Sequence, residues 1–228
     1  MELIYGSTKQ KFIPNNVTSF QNIRKIKTIM VNDSFMKYKA IAEVKGEYIV
    51  CNDITKLKRH SKRIIKETYE EYLDFLSKRD IEHDRWIYNI IDGLAEQDNI
   101  LFKDENMIVI PTYIWDSQNI DKLHILCLPT NKSLRTIRDL SLKDVPLLQH
   151  MKDITLKTIE TKYGLKEENL KMFFHYEPST YHLHIHFVNV EYTETGSSVE
   201  YSHDLDSVIF NLTIDSDYYK KIKLNRRI

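Results

Sequence analysis

Two rhythms of apolar and polar residues run along this chain, one of period two and one near 3.6, and they predict strands and helices respectively. FMKYKAIAEVKGEYIVC, residues 35–51, alternates and turns at Lys45-Gly46, which predicts a hairpin. From Asp53, a good helix N-cap, apolar residues recur at Ile54, Leu57, Ile64, Ile65, Tyr72 and Leu76, predicting one charged surface helix. Lys78-Arg79-Asp80 interrupts it before a second helical run over 83–97, with Trp86, Ile90 and Leu94 on one stripe. The texture then changes. MIVIP (107–111) and LHILCLP (123–129) are short, apolar and closed by proline, as strands are. Ser141 and Asp144 form a capping-box pattern ahead of Leu142, Val145, Leu148, Met151 and Ile154, a helix that Gly164 can stop. KMFFHY (171–176), a short loop and HLHIHFVNV (182–190) follow as strands. The order predicts an α+β fold, an antiparallel sheet covered on one face by the long helix, with a smaller α+β N-terminal domain over 1–82 and the main domain over 83–228.

Composition narrows what such a fold can do. The chain has 228 residues, 42% of them apolar, enough for a sizeable core, and its 33 basic and 33 acidic residues cancel. A balanced charge argues against coating a long nucleic acid and leaves room for a local basic pocket. With two cysteines and no apolar leader in MELIYGSTKQKF, the expected location is reducing and intracellular, cytoplasm or nucleus. No apolar run nears the roughly 20 residues that span a bilayer.

The chemistry concentrates in YHLHIHFV, residues 181–188. On a strand, His182, His184 and His186 share one face and Leu183, Ile185 and Phe187 the other. Nine histidines in 228 residues yield such a run by chance roughly once in a hundred chains of this composition. Three readings stand: a solvated polar face, a metal site that lacks a carboxylate or cysteine at ligand spacing, or phosphoryl transfer through a neutral imidazole nucleophile.

HYEPSTYHLHIHFVNV resembles the signature of histidine-triad proteins, and with His175, Tyr176, Pro178 and Ser179 upstream it resembles that of the scavenger mRNA decapping enzymes. Segments 85–102, Ile110-Pro111 with Trp115, 133–148 and 196–203 also look like family segments in family order, so the likeness covers about 50–210. The resemblance implies hydrolysis of the triphosphate bridge of short capped RNA fragments, releasing 7-methylguanosine monophosphate through a phosphohistidine on His184, with no metal or other cofactor. It gives His175, His182, His186 and Ser179, in the motif with Tyr176, to the phosphates. Trp86 would stack on the cationic methylated base, Glu96 would accept from the guanine edge, and Lys56 would bind phosphate. It further implies a homodimer whose N-terminal parts exchange, a short capped substrate and no membrane. Taken without the resemblance, Trp86 on a helical stripe reads as core, Glu96 as helix surface and Lys56 as part of a solvated face.

The chain departs from the family pattern at Thr112 and Ile114, where an aspartate and a lysine are usual, at Thr180, usually tyrosine, and at Tyr201, usually arginine. Two cations are thereby missing, and Lys122, Arg135 or another nearby cation is the expected substitute. Two other readings remain open: a general histidine-triad nucleotide hydrolase, and a cap-binding regulator with weak catalysis.

Overall fold

The computed structural model describes residues 2–4, 25–31, 35–41 and 46–51 for their backbone, and residues 63–193 and 198–227 in full. The chain packs as two compact units, 1–62 and 63–228. In the first, strands β1 (Glu2–Ile4), β2 (Lys25–Val31), β3 (Phe35–Ile41) and β4 (Gly46–Cys51) form an antiparallel sheet of order β1-β4-β3-β2. β3 and β4 are the two arms of the hairpin that alternation predicts.

The second unit begins with β5 (Ile64–Glu67), α1 (Tyr69–Lys78) and α2 (Arg85–Ile91). The single helix expected from Asp53 to Leu76 is therefore corrected. Its first part lies outside the described residues, Ile64 and Ile65 are exposed strand residues, and the helix starts after Thr68, which caps it in a capping box with Glu71. β5 is a strand because β12 (Leu224–Arg227), from the far end of the chain, pairs with it antiparallel. That pairing also puts 63–82 in the C-terminal unit, so the units divide at Lys62/Arg63 rather than after residue 82.

Between them run β6 (Phe102–Lys103), β7 (Met107–Pro111), β8 (His124–Pro129), α3 (Val145–Tyr163), β9 (Leu170–His175), β10 (Ile185–Asn189), β11 (Ser202–Asp204), α4 (Leu205–Ile214) and α5 (Tyr218–Lys221). Six strands make an antiparallel sheet of order β11-β9-β10-β8-β7-β6. α3 ends on Gly164 in the left-handed region, as its position predicts. Val145, Leu148, Met151 and Ile159 from α3, with Val208 and Leu212 from α4, bury against Met107, Val109, Ile125, Cys127, Met172, Phe174, Ile185 and Phe187. On the opposite face of the sheet Ile87 and Ile90 of α2 cover Ile108, Ile110, Leu126 and Leu128. Among the described residues α2 packs on the β7–β8 side of that face, and His186 on β10 lies beyond it.

Candidate active site

Strand register places the site. Val188 pairs with His124 on β8 and Lys171 on β9, and His186 pairs with Leu126 and Phe173. Paired residues in an antiparallel ladder project to the same face, so these six share the face that α2 half covers. The run of three strand histidines is corrected here, because β10 starts at Ile185 and His182 and His184 precede it. Residues 181–184 leave the ladder because other partners hold them: the Leu183 amide donates to the Leu134 carbonyl (2.8 Å), and the Tyr181 amide donates to the Asp84 carboxylate (3.0 Å).

A cavity of about 510 Å³ opens between α2 and this face. Among the residues lining it are His124, His175, His184, His186, Ser179, Thr180, Trp86 and Glu96. Trp86 is 42% exposed, so it is available for stacking rather than spent in the core. Glu96 lies at φ 54°, a left-handed conformation that a side-chain-bearing residue adopts only under strain. His182 turns away from the cavity: its ring meets Tyr88 edge-on and its Nε2 donates to the Pro129 carbonyl (2.7 Å). Tyr176 is likewise apart, fully buried, its hydroxyl accepting from Arg138 Nε (2.7 Å) and donating to Glu67. Lys56 lies outside the described residues.

Tautomers follow from the partners. His184 Nδ1 lies 2.7 Å from the His182 carbonyl. A carbonyl only accepts, so Nδ1 carries the proton and the Nε2 lone pair is free. Burial lowers the pKa of His184, and burial with the surrounding imidazoles puts His186 well below the ordinary value. Burial likewise brings His124 and His182 down to about 4. The cluster is neutral at pH 7, a set of nucleophiles and N–H donors rather than of cations.

His124, which the sequence reading passes over, completes the cluster. Its Nε2 is 2.8 Å from His186 Nδ1, while His186 Nε2 and His124 Nδ1 are buried without a hydrogen-bond partner among the described residues. The His175 ring lies 4.3 Å from that of His186 and 4.9 Å from that of Tyr201.

Of the departures, Thr112, Ile114 and Thr180 line the cavity, and Tyr201 covers His175. The expected substitutes do not reach it. Arg135 is committed to Asp139 through two hydrogen bonds of 3.1 and 2.9 Å, and Lys122 is outside the lining. Among the described lining residues none is lysine or arginine.

Residues 85–202 match the family described as "Scavenger mRNA decapping enzyme C-term binding". The chain is 34% identical over 215 residues to the m7GpppX diphosphatase of Ascaris suum, covering 87% of this chain and 71% of that protein. It is 36% identical to the Caenorhabditis elegans m7GpppX diphosphatase over 75% of this chain, and 33% identical to the human one over 74%. It spans 57% and 52% of those two proteins, little more than half of each. Among solved structures, the aprataxin orthologue Hnt3 from Schizosaccharomyces pombe superposes at TM-score 0.39 and 15% identity, over 66% of this chain and 87% of that one.

Proposed function

The chain belongs to the scavenger mRNA decapping family, and from that premise we propose that it hydrolyses the triphosphate bridge of cap dinucleotide and short 5′-capped RNA fragments, releasing 7-methylguanosine monophosphate. The observation that carries the reading is the 2.7 Å contact from His184 Nδ1 to the His182 carbonyl, which leaves Nε2 as a nucleophile inside the cavity. The Nε2 lone pair attacks the phosphorus next to 7-methylguanosine and forms a P–N bond. The P–O bond to the bridge breaks, and a nucleoside diphosphate departs. Water then attacks the same phosphorus, releases a proton and returns the lone pair to Nε2. Cap and water give 7-methylguanosine monophosphate, nucleoside diphosphate and one proton.

Trp86 stacks on the cationic base, and Glu96 accepts from its edge. In the tautomer pair in which His124 Nε2 is the donor to His186 Nδ1, the proton of His186 sits on Nε2, where it would donate to a phosphate oxygen. Ser179 and His175 donate alongside. Lys56 would bring a further cation from the first unit, and we include in this reading a homodimer whose first units exchange and close over the sites. Closure would exclude long capped RNA.

The lack of lysine or arginine among the described lining residues favours a second reading, cap binding with weak turnover. Product analysis with cap dinucleotide, its unmethylated analogue and a long capped RNA, with chelator present, decides between them. Release of 7-methylguanosine monophosphate from the short methylated substrate alone, abolished by His184→Asn, supports hydrolysis. Tight binding without product supports the regulator, and turnover of the unmethylated analogue supports a general nucleotide hydrolase.

A further inference from the structure

A triphosphate bridge is an anion, and the described cavity wall offers it no lysine or arginine, while burial keeps His124, His184 and His186 below the ordinary imidazole value. A cation does stand on the same face one strand further out. Lys171 pairs with Val188, which pairs with His124, so the three side chains form one row across β9, β10 and β8. The alternate residues Leu170, Met172 and Phe174 point into the core on the other side of the sheet. On the site face Phe173, next in line from Lys171, stacks on His186 with rings 5.1 Å apart. The Lys171 ammonium donates to the carbonyl of Tyr192 (2.7 Å), and Tyr192 is itself a lining residue.

Three features suit this ammonium to an anion. Its described partner is a carbonyl rather than a carboxylate, so among the described residues none neutralises its charge, and two N–H donors remain beyond that bond. Partial burial lowers its pKa, so an arriving phosphate relieves a desolvation already imposed by the fold. Its charge is felt at His124, part of the cluster. Position then selects which part of the substrate it meets. α2, which carries Trp86, packs over the β7–β8 side, whereas Lys171 lies on β9, the strand of His175, beyond His124 on β8 and His186 on β10. A cap laid with its methylated base on Trp86 and its first phosphate at His184 sends the rest of the bridge toward β9.

We propose that Lys171 binds the phosphates of the departing nucleoside diphosphate, and so selects substrates with an anionic leaving group. The inference rests on the decapping reading above. A charge-assisted contact of this kind predicts that Lys171→Ala lowers kcat/KM for the cap dinucleotide by about ten- to a hundredfold. The same variant should act on the p-nitrophenyl ester of 7-methylguanosine monophosphate, whose leaving group carries no phosphate, within about threefold of the parent. Lys171→Arg should recover most of the dinucleotide rate.

An equal loss on both substrates, or no loss on either, overturns the assignment, and an unchanged unfolding midpoint keeps a folding defect from imitating it. Should the parent chain cleave neither substrate, the hydrolytic reading fails and binding replaces turnover as the readout. Lys171→Ala must then weaken binding of cap dinucleotide and spare 7-methylguanosine monophosphate. Equal binding by parent and variant, or no binding of either ligand, overturns the role of Lys171.

Discussion

In the proposed reaction His184 would owe its reactivity to its neighbour's backbone. The His182 carbonyl fixes the proton on Nδ1, and burial keeps Nε2 unprotonated below the pH at which an ordinary imidazole gains its charge. The acid limb of kcat/KM is therefore expected below pH 6.5, the ordinary histidine value. A limb at or above that value would mean that another group controls the step. His124 works one residue further back. His124→Phe removes the hydrogen-bond partner of His186 Nδ1 while keeping a ring of similar size. Losing one donor to the developing charge is expected to cost kcat about ten- to a hundredfold with little change in KM. A rise in KM at unchanged kcat would place His124 in ground-state binding instead. The triad is legible in the sequence because three histidines at alternate positions are improbable by chance. His124 is not, since one histidine opening the apolar run LHILCLP reads as a strand residue until the register of β8 against β10 is known.

Legibility at the element scale follows the range of the interactions that form each element. The Ser141–Asp144 capping box, the Gly164 stop and the β3–β4 hairpin are local, and each can be read directly. β5 is stabilised by β12, about 160 residues away in the chain, so its apolar residues merge into a helical rhythm they do not follow. Alternation continues through 181–184, and what removes these residues from the ladder is Asp84 and Leu134, again distant. Arg138 joins these separate pieces. It is fully buried and donates to Tyr176 Oη, to the carbonyls of Tyr219 and Ile222, and to the Glu67 carbonyl, with the Glu67 carboxylate 3.9 Å away. Arg226 completes the group with contacts to Glu67 (3.0 Å) and Glu177 (3.3 Å). The loop carrying Ser179 is thus braced from both ends of the unit. Arg138→Met strands several acceptors and leaves the buried Glu67 carboxylate with the Tyr176 hydroxyl and, among the described cations, Arg226. A loss of about 3–5 kcal/mol is expected, read as a lower denaturant midpoint of the C-terminal unit. A loss under about 1 kcal/mol would mean that water replaces the guanidinium, and the brace would not be structural.

At the scale of the whole molecule, a neutral histidine cluster has a cost that depends on pH. The folded values of His124, His182 and His203 lie near 4, below the unfolded value of 6.5, chiefly through burial. As pH falls through 6.5 the unfolded chain takes up protons that the folded chain refuses, so stability is complete above that value and declines toward pH 4. Each such group removes roughly 1 kcal/mol per pH unit within the window, and the sum is smaller than independent sites would give because the imidazoles interact. The carboxylates with lowered values act below their ordinary values, 3.8 for Asp104, Asp116 and Asp215 and 4.5 for Glu70 and Glu200, and leave the range from pH 7 to pH 5 to the histidines. Denaturant unfolding of the full chain is accordingly expected to lose several kcal/mol between pH 7 and pH 5, reported by a probe in the C-terminal unit. A flat profile would mean that the folded cluster accepts protons and opens to do so. A bound phosphate sharpens the test, because an anion beside the imidazoles favours their charged forms and raises the folded values toward 6.5. Cap dinucleotide on the His184→Asn chain should then stabilise more at pH 5.5 than at pH 7.5. Equal stabilisation at the two pH values would place the phosphates away from the imidazoles, and with them the chemistry assigned to this face of the sheet.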